Sequence, residues 1–139
     1  MMPRLRAPIA AAGALCIALG VAACGETSST GSYKGEAKKV AQTISNLQSD
    51  ATSVNPGKIC SRDLAASVVK KLEAGGTSCK KALEGQLREI DTYALTVESI
   101  SVQDSSATAK VKSTWSGKER IHEVSFVKEG GSWKISGLS

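Results

Sequence analysis

Between Gly35 and Ala51 the apolar residues Val40, Ile44, Leu47 and Ala51 recur at intervals of three and four, which places them on one stripe of a first helix. Ser53-Val54-Asn55-Pro56-Gly57 breaks that period, with Asn55 placed to cap a short turn that Pro56 begins and that presents Cys60. Leu64, Val68 and Leu72 define the apolar face of a second helix, which the Gly75-Gly76 pair stops. Thr77 or Ser78 then caps a third, whose inner face collects Cys79, Leu83, Leu87 and Ile90.

From Thr92 the period changes to two and β-branched residues dominate. Thr92 to Val102 reads as a first strand, on which Glu98 shares a face with Ala94, Thr96 and Ile100. Gln103-Asp104-Ser105 turns the chain. Ala107, Ala109, Val111, Ser113 and Trp115 alternate with polar residues along a second strand with one buried face. Ser116-Gly117-Lys118 leads into a third strand from Arg120 to Lys128, and Glu129-Gly130-Gly131-Ser132 into a last one from Trp133 to about Gly137. Helices first and an antiparallel meander afterwards predict an α+β domain of three N-terminal helices packed on a four-stranded sheet. Trp115 and Trp133 are the largest apolar groups, and core packing is their expected role.

The N-terminus follows another rule. Met1 to Arg6 carries two positive charges, Ala7 to Ala23 carries none, and Val21-Ala22-Ala23-Cys24 closes the run. This arrangement resembles a bacterial lipoprotein signal, with residues 1–23 removed and Cys24 acylated by diacylglyceryl and palmitate-type chains. The competing readings are a membrane helix and a secretory peptide cut elsewhere. The apolar run of about 17 residues contains Pro8, Gly13 and Gly20 and is short for a span, which needs about 20. Each buried methylene of an acyl chain contributes about 0.8 kcal/mol, so two or more chains anchor a protein stably. The resemblance implies a protein held on the outer side of a bacterial cell membrane, from which Cys16 is lost with the signal. Residues 24–34 are small and polar and form a flexible tether to a domain at 35–139.

Removal of Arg4 and Arg6 takes the 18 basic residues to 16 against 13 acidic, a mild net charge of +3. The pairs Lys38-Lys39, Lys70-Lys71 and Lys80-Lys81 read as solvated helix faces. Few aromatics occur and none lies among these pairs, so no nucleic-acid platform is visible. In a compartment beyond the membrane Cys60 and Cys79 pair naturally as a disulfide closing a loop of about 20 residues, a stabilisation of roughly 3 kcal/mol. A zinc site is the alternative, but two distant cysteines and the single His122 make a poor ligand set, and no cofactor is expected.

The order of elements, with Phe126-Val127-Lys128-Glu129-Gly130-Gly131-Ser132-Trp133-Lys134-Ile135 at the end, resembles the nuclear-transport-factor-two-like, or ketosteroid-isomerase-like, cone. In that superfamily a curved sheet wraps around N-terminal helices. Ile59-Cys60-Ser61 and Ser78-Cys79-Lys80-Lys81-Ala82-Leu83 are similar to secreted or lipid-anchored actinobacterial members. The short Ala74-Gly75-Gly76-Thr77 connection replaces the hairpin found in many members and implies a differently closed cone mouth. The acidic and phenolic groups of catalytic members have no match here. Because this fold hosts enzymes, binders and scaffolds, the resemblance does not assign chemistry.

His122 is the candidate catalytic group. Alternation puts it with Val124 and Phe126, and puts Ile121, Glu123, Ser125 and Val127 on the other face. It is a pocket base if the first set faces the cone and an exposed strand residue if not. Glu98 has the same two readings. No nucleophile elbow, H-E-x-x-H or phosphate loop occurs. The expectation is a non-enzymatic, lipid-anchored binding or interaction module of the cell envelope. Its partner is an envelope protein, or alternatively a small apolar ligand in a cone cavity; a cryptic isomerase or hydrolase stands behind these. Homodimerisation through the outer sheet face is compatible with the apolar residues on both faces of the third strand.

Overall fold

The computed structural model describes residues 32–89, 93–115 and 117–139. The signal, Cys24, most of the tether, Ile90 and the Trp115 side chain lie outside the described residues.

Helix α1 (Gly35–Thr52) buries Val40, Ile44 and Ala51 along the expected stripe. Pro56–Lys58 forms a single turn, α2, capped by the Asn55 side chain, which accepts from the Lys58 N–H. The turn continues as a π-helical segment over Ile59–Asp63, in which the Leu64 N–H bonds back to the Ile59 carbonyl at 3.0 Å. Helices α3 (Ala66–Glu73) and α4 (Cys79–Arg88) follow, and Ser78 caps α4 by accepting from the Lys81 N–H. The helical expectation is wrong at Leu64, which is extended and outside α3. Leu64 forms a parallel bridge with Ile135, and Ala65 donates to the Ile135 carbonyl at 2.8 Å. The edge of the last strand thus captures the chain and delays the helix by two residues. The Glu129 carboxylate then accepts the Ala66 N–H at the helix start.

Strands β1 (Tyr93–Gln103), β2 (Ser106–Trp115), β3 (Lys118–Glu129) and β4 (Ser132–Leu138) form an antiparallel meander in the order of the sequence. Gly130 and Gly131, at φ 55° and 80°, supply two successive left-handed residues for the last hairpin, a conformation costly for any residue with a Cβ. Two bulges bend the sheet, one between Val97 and Ser99 and one where Ser136 separates Ile135 from Gly137. The first changes a sequence expectation. Leu95 and Val97 face inward before it, Ile100 and Val102 after it, so strict alternation fails and Glu98 is exposed at the break.

Val40 and Ile44 of α1 pack on Ala107, Ala109, Phe126 and Trp133 of the sheet. Ala51, Ile59 and Leu87 form a second cluster among the helices, and Leu47 and Leu64 touch both. Trp133 is a core residue whose indole N–H donates to the Glu36 carboxylate at 2.7 Å. Lys39 and Lys128 reach the same carboxylate at 2.8 and 3.1 Å, fixing the first turn of α1 to the β3–β4 hairpin. Hydrogen bonds from Lys39, Trp133 and Lys128 lower the Glu36 pKa from 4.5 to about 2.

Cys60 and Cys79 form the expected disulfide, with Cα atoms 6.1 Å apart, joining the π-helical turn to the start of α4. It closes the helical layer against α1 through Ile59 and Leu87. Replacing both cysteines by serine is expected to lower unfolding stability by about 3 kcal/mol, read from urea denaturation. An unchanged midpoint would show that the bridge adds nothing to the packing around it.

Candidate functional site

The sheet is longer than α1 can cover. Past Leu47 the helix turns its apolar stripe toward α2 and α4, and a cavity of about 750 Å3 opens over the far half of the sheet. Leu47 and Leu64 wall it on the helix side, with Val68 of α3; Leu95, Val111 and Val124 form its floor, and Ile135, Gly137 and Leu138 the β4 side. The small residues Ala107 and Ala109 admit α1 and are buried under it. The space lies farther along β2, over Val111 and Ser113.

Polar groups occupy one end. Ser113, Lys118, Arg120 and His122 complete the lining, all on the inward parity of β2 and β3. Val111 lies opposite His122, and Ser113 opposite Arg120. His122 therefore faces the cone, the first of its two expected orientations. Its Nε2 lies 3.2 Å from the Ser113 hydroxyl, which also approaches the Arg120 carbonyl at 3.5 Å. The serine has one proton; directed to that carbonyl, it leaves its oxygen to accept from Nε2–H. In that arrangement Nε2 is a donor and cannot take the serine proton. Among the described residues Nδ1 of His122 has no hydrogen-bond partner and no carboxylate lines the cavity, so the orienting acid of a nucleophilic triad is absent there. No cluster of metal-ligating side chains occurs among the described residues.

A second group of charges lies behind the cavity wall, where sequence reading found nothing. Asp50 on α1 and Asp63 at the end of the π-helical turn are 3% and 0% exposed. Arg62, 44% exposed, donates from Nη2 to Asp50 at 2.5 Å and from Nε to Asp63 Oδ1 at 3.3 Å. One guanidinium cannot neutralise two desolvated carboxylates. Burial first, and the adjoining Asp50 carboxylate second, raise the Asp63 pKa from 3.8 to about 7, against the opposing pull of Arg62. Among the described residues the buried Oδ2 of Asp63 has no hydrogen-bond partner, and a hydrogen bond between the Asp63 and Asp50 carboxyl groups favours the protonated form. The position of Asp50, three residues after Leu47 on the inner side of α1, was the available sequence signal; Asp63 had none.

No family model and no curated protein matches this chain. Among solved structures it is similar to an NTF-2-like protein of unknown function from Silicibacter pomeroyi DSS-3, with TM-score 0.52 and 14% identity over 73% of this chain and 93% of that one. It is likewise similar to a variant chain designated Rd1NTF2_05, with TM-score 0.52 and 15% identity over 76% of this chain and 98% of that one. The fold is NTF2-like.

The native state holds a proton on Asp63 that the unfolded chain has released between pH 3.8 and about 7, so its contribution to stability falls as pH rises through that window and is level above it. Glu36 has the opposite sign: its contribution is complete above 4.5 and is lost as pH falls toward about 2. Asp63→Asn, neutral throughout, is expected to flatten the fall between pH 4 and 7 and to exceed the wild type in thermal stability at pH 8. Equal slopes for both proteins in unfolding measured across that range would place the buried proton elsewhere.

Proposed function

We propose that this protein is a lipid-anchored extracytoplasmic binding domain that takes a small apolar ligand into its cone cavity and does no chemistry on it. The observation that carries the reading is the cavity itself. Its volume of about 750 Å3 and its walls of leucine, valine and isoleucine match the usual small-molecule site, apolar with a few polar groups at one end. Leu47, in the middle of the α1 stripe, is half-buried because it faces that space. The location rests on the likeness of residues 1–24 to a lipoprotein signal. Among the described residues no helix is long and apolar enough to cross a membrane.

Ligand binding would raise the unfolding temperature by mass action. At a hundredfold excess over Kd the stabilisation is about 2.7 kcal/mol. For a domain of this size that corresponds to roughly 10 °C, at about 4 °C or more per kcal/mol. Val68→Trp, which fills the cavity from the half-buried face of α3, is expected to abolish the response while leaving the free protein folded. A flat response of the wild type across straight-chain and polycyclic apolar compounds would refute the cavity reading. The anchor is tested separately: Cys24→Ser is expected to move the protein from the detergent phase to the aqueous phase, and unchanged partitioning would exclude lipidation there.

In the other tautomer, with Nε2 accepting the Ser113 proton, the Ser113–His122 contact supports a second reading, an esterase-like dyad. Turnover of aryl esters that is lost in both Ser113→Ala and His122→Ala would establish it, and turnover surviving either substitution would remove it.

A further inference from the structure

Along the inner face of β3 the side chains change in one direction. Phe126 and Val124 are buried, His122 is half-buried, and Arg120 and Lys118 are exposed. Alternate residues on a strand stand about 7 Å apart, so this sequence of five forms a ramp from a dry floor to a wet, basic rim. All but Phe126 line the cavity.

The two cations at the rim have no counter-charge among the described residues. Among the described residues neither Lys118 nor Arg120 makes an ion pair. Glu119 between them has the opposite parity and pairs with Lys112 at 3.6 Å on the outer face of the sheet. Glu123, also outward, is paired through its backbone with Ser139. The other basic residues near the hairpins are used: Lys128 on Glu36, and Lys134 on the carbonyls of Ser61 and Arg62. Unpaired cations beside a low-dielectric chamber favour an anion there and penalise a second cation.

Resting on the cavity reading above, we propose that the ligand is a single-chain amphiphile with an anionic head, its alkyl chain over Leu95, Val111 and Val124 and its head at Arg120. A volume of about 750 Å3 is that of a drug-sized ligand, which suits one chain with its head rather than a two-chain lipid. The guanidinium can hold a carboxylate or phosphate by two parallel hydrogen bonds, and Lys118 adds charge from the outer end. The Ser113 hydroxyl and His122 ring stand where head and chain meet, polar enough to accept water or a glycerol hydroxyl.

Calorimetric titration of the full-length chain carrying Cys24→Ser, so that its own acyl groups cannot compete, tests this with four ten-carbon probes below their micellar concentrations. These are decanoate, decyl phosphate, decanol and decyltrimethylammonium. The better of the two anions is expected to bind about tenfold or more tightly than decanol, as a charge-assisted hydrogen bond provides, with the ammonium weakest. A preference for the carboxylate points to fatty acids and one for the phosphate to lysophospholipid-type heads; either supports the proposal. In Lys118→Gln/Arg120→Gln the anion advantage is expected to disappear while decanol affinity is unchanged. Both side chains are exposed, so the fold does not depend on them, and Lys118→Gln alone is expected to give part of the loss. Decanol binding as tightly as both anions, or an anion advantage that survives the double substitution, overturns this proposal and leaves the cavity reading intact. Binding of none of the four overturns this proposal, and the cavity reading falls with it only if the polycyclic compounds also leave the unfolding temperature unchanged.

Discussion

The carboxylate of Glu36 decides where α1 lies. It accepts from the Trp133 indole and from Lys39 and Lys128, which ties the first turn of the helix to the tip of the last hairpin. With that end fixed, Val40 and Ile44 fall on the small residues Ala107 and Ala109, where the helix can approach the sheet closely. The stripe then leaves the sheet at Leu47 and continues into the helical cluster of Ala51, Ile59 and Leu87. The uncovered half of the curved sheet is the cavity. Its existence follows from where the helix is pinned and from how soon the apolar stripe is claimed by α2 and α4.

The charges are divided along the same line. On the closed side Asp50, Asp63 and Arg62 are packed together, and burial holds a proton on Asp63 up to about pH 7. On the open side Lys118 and Arg120 remain unpaired among the described residues. A buried charge pair short of one counter-charge costs stability, whereas an unpaired cation at a wet rim costs little and is available to a ligand. The protein therefore concentrates its electrostatic strain behind the cavity wall and its electrostatic attraction at the cavity's exposed end.

Much of this was legible in the sequence, for reasons that differ by element. The α1 stripe, the Asn55 and Ser78 caps, the Cys60–Cys79 bridge and the meander are local or pairwise features, each set by residues close in the chain or by a single pair of side chains. The parity of β3 put His122 with Val124 and Phe126, but which face met the helices depended on packing that periodicity cannot report, and Lys118, read as part of the turn, belongs to the strand. Two expectations failed where tertiary contact overrode local pattern. The bulge at Glu98 reversed the face of β1 in mid-strand, and the β4 edge drew Leu64 out of helical geometry. Asp63 was hidden because no local motif announces a carboxyl that becomes buried only when a turn folds against α1.

The account stands on the cavity holding a single-chain anion in the protein's own setting. Native mass spectrometry of the protein purified from its host tests that directly. The expected result is a near-stoichiometric bound species, with one alkyl chain and a carboxylate or phosphate head, that is displaced by excess decanoate and absent from Val68→Trp. An unoccupied protein, or a bound neutral or cationic molecule in its place, would contradict the account.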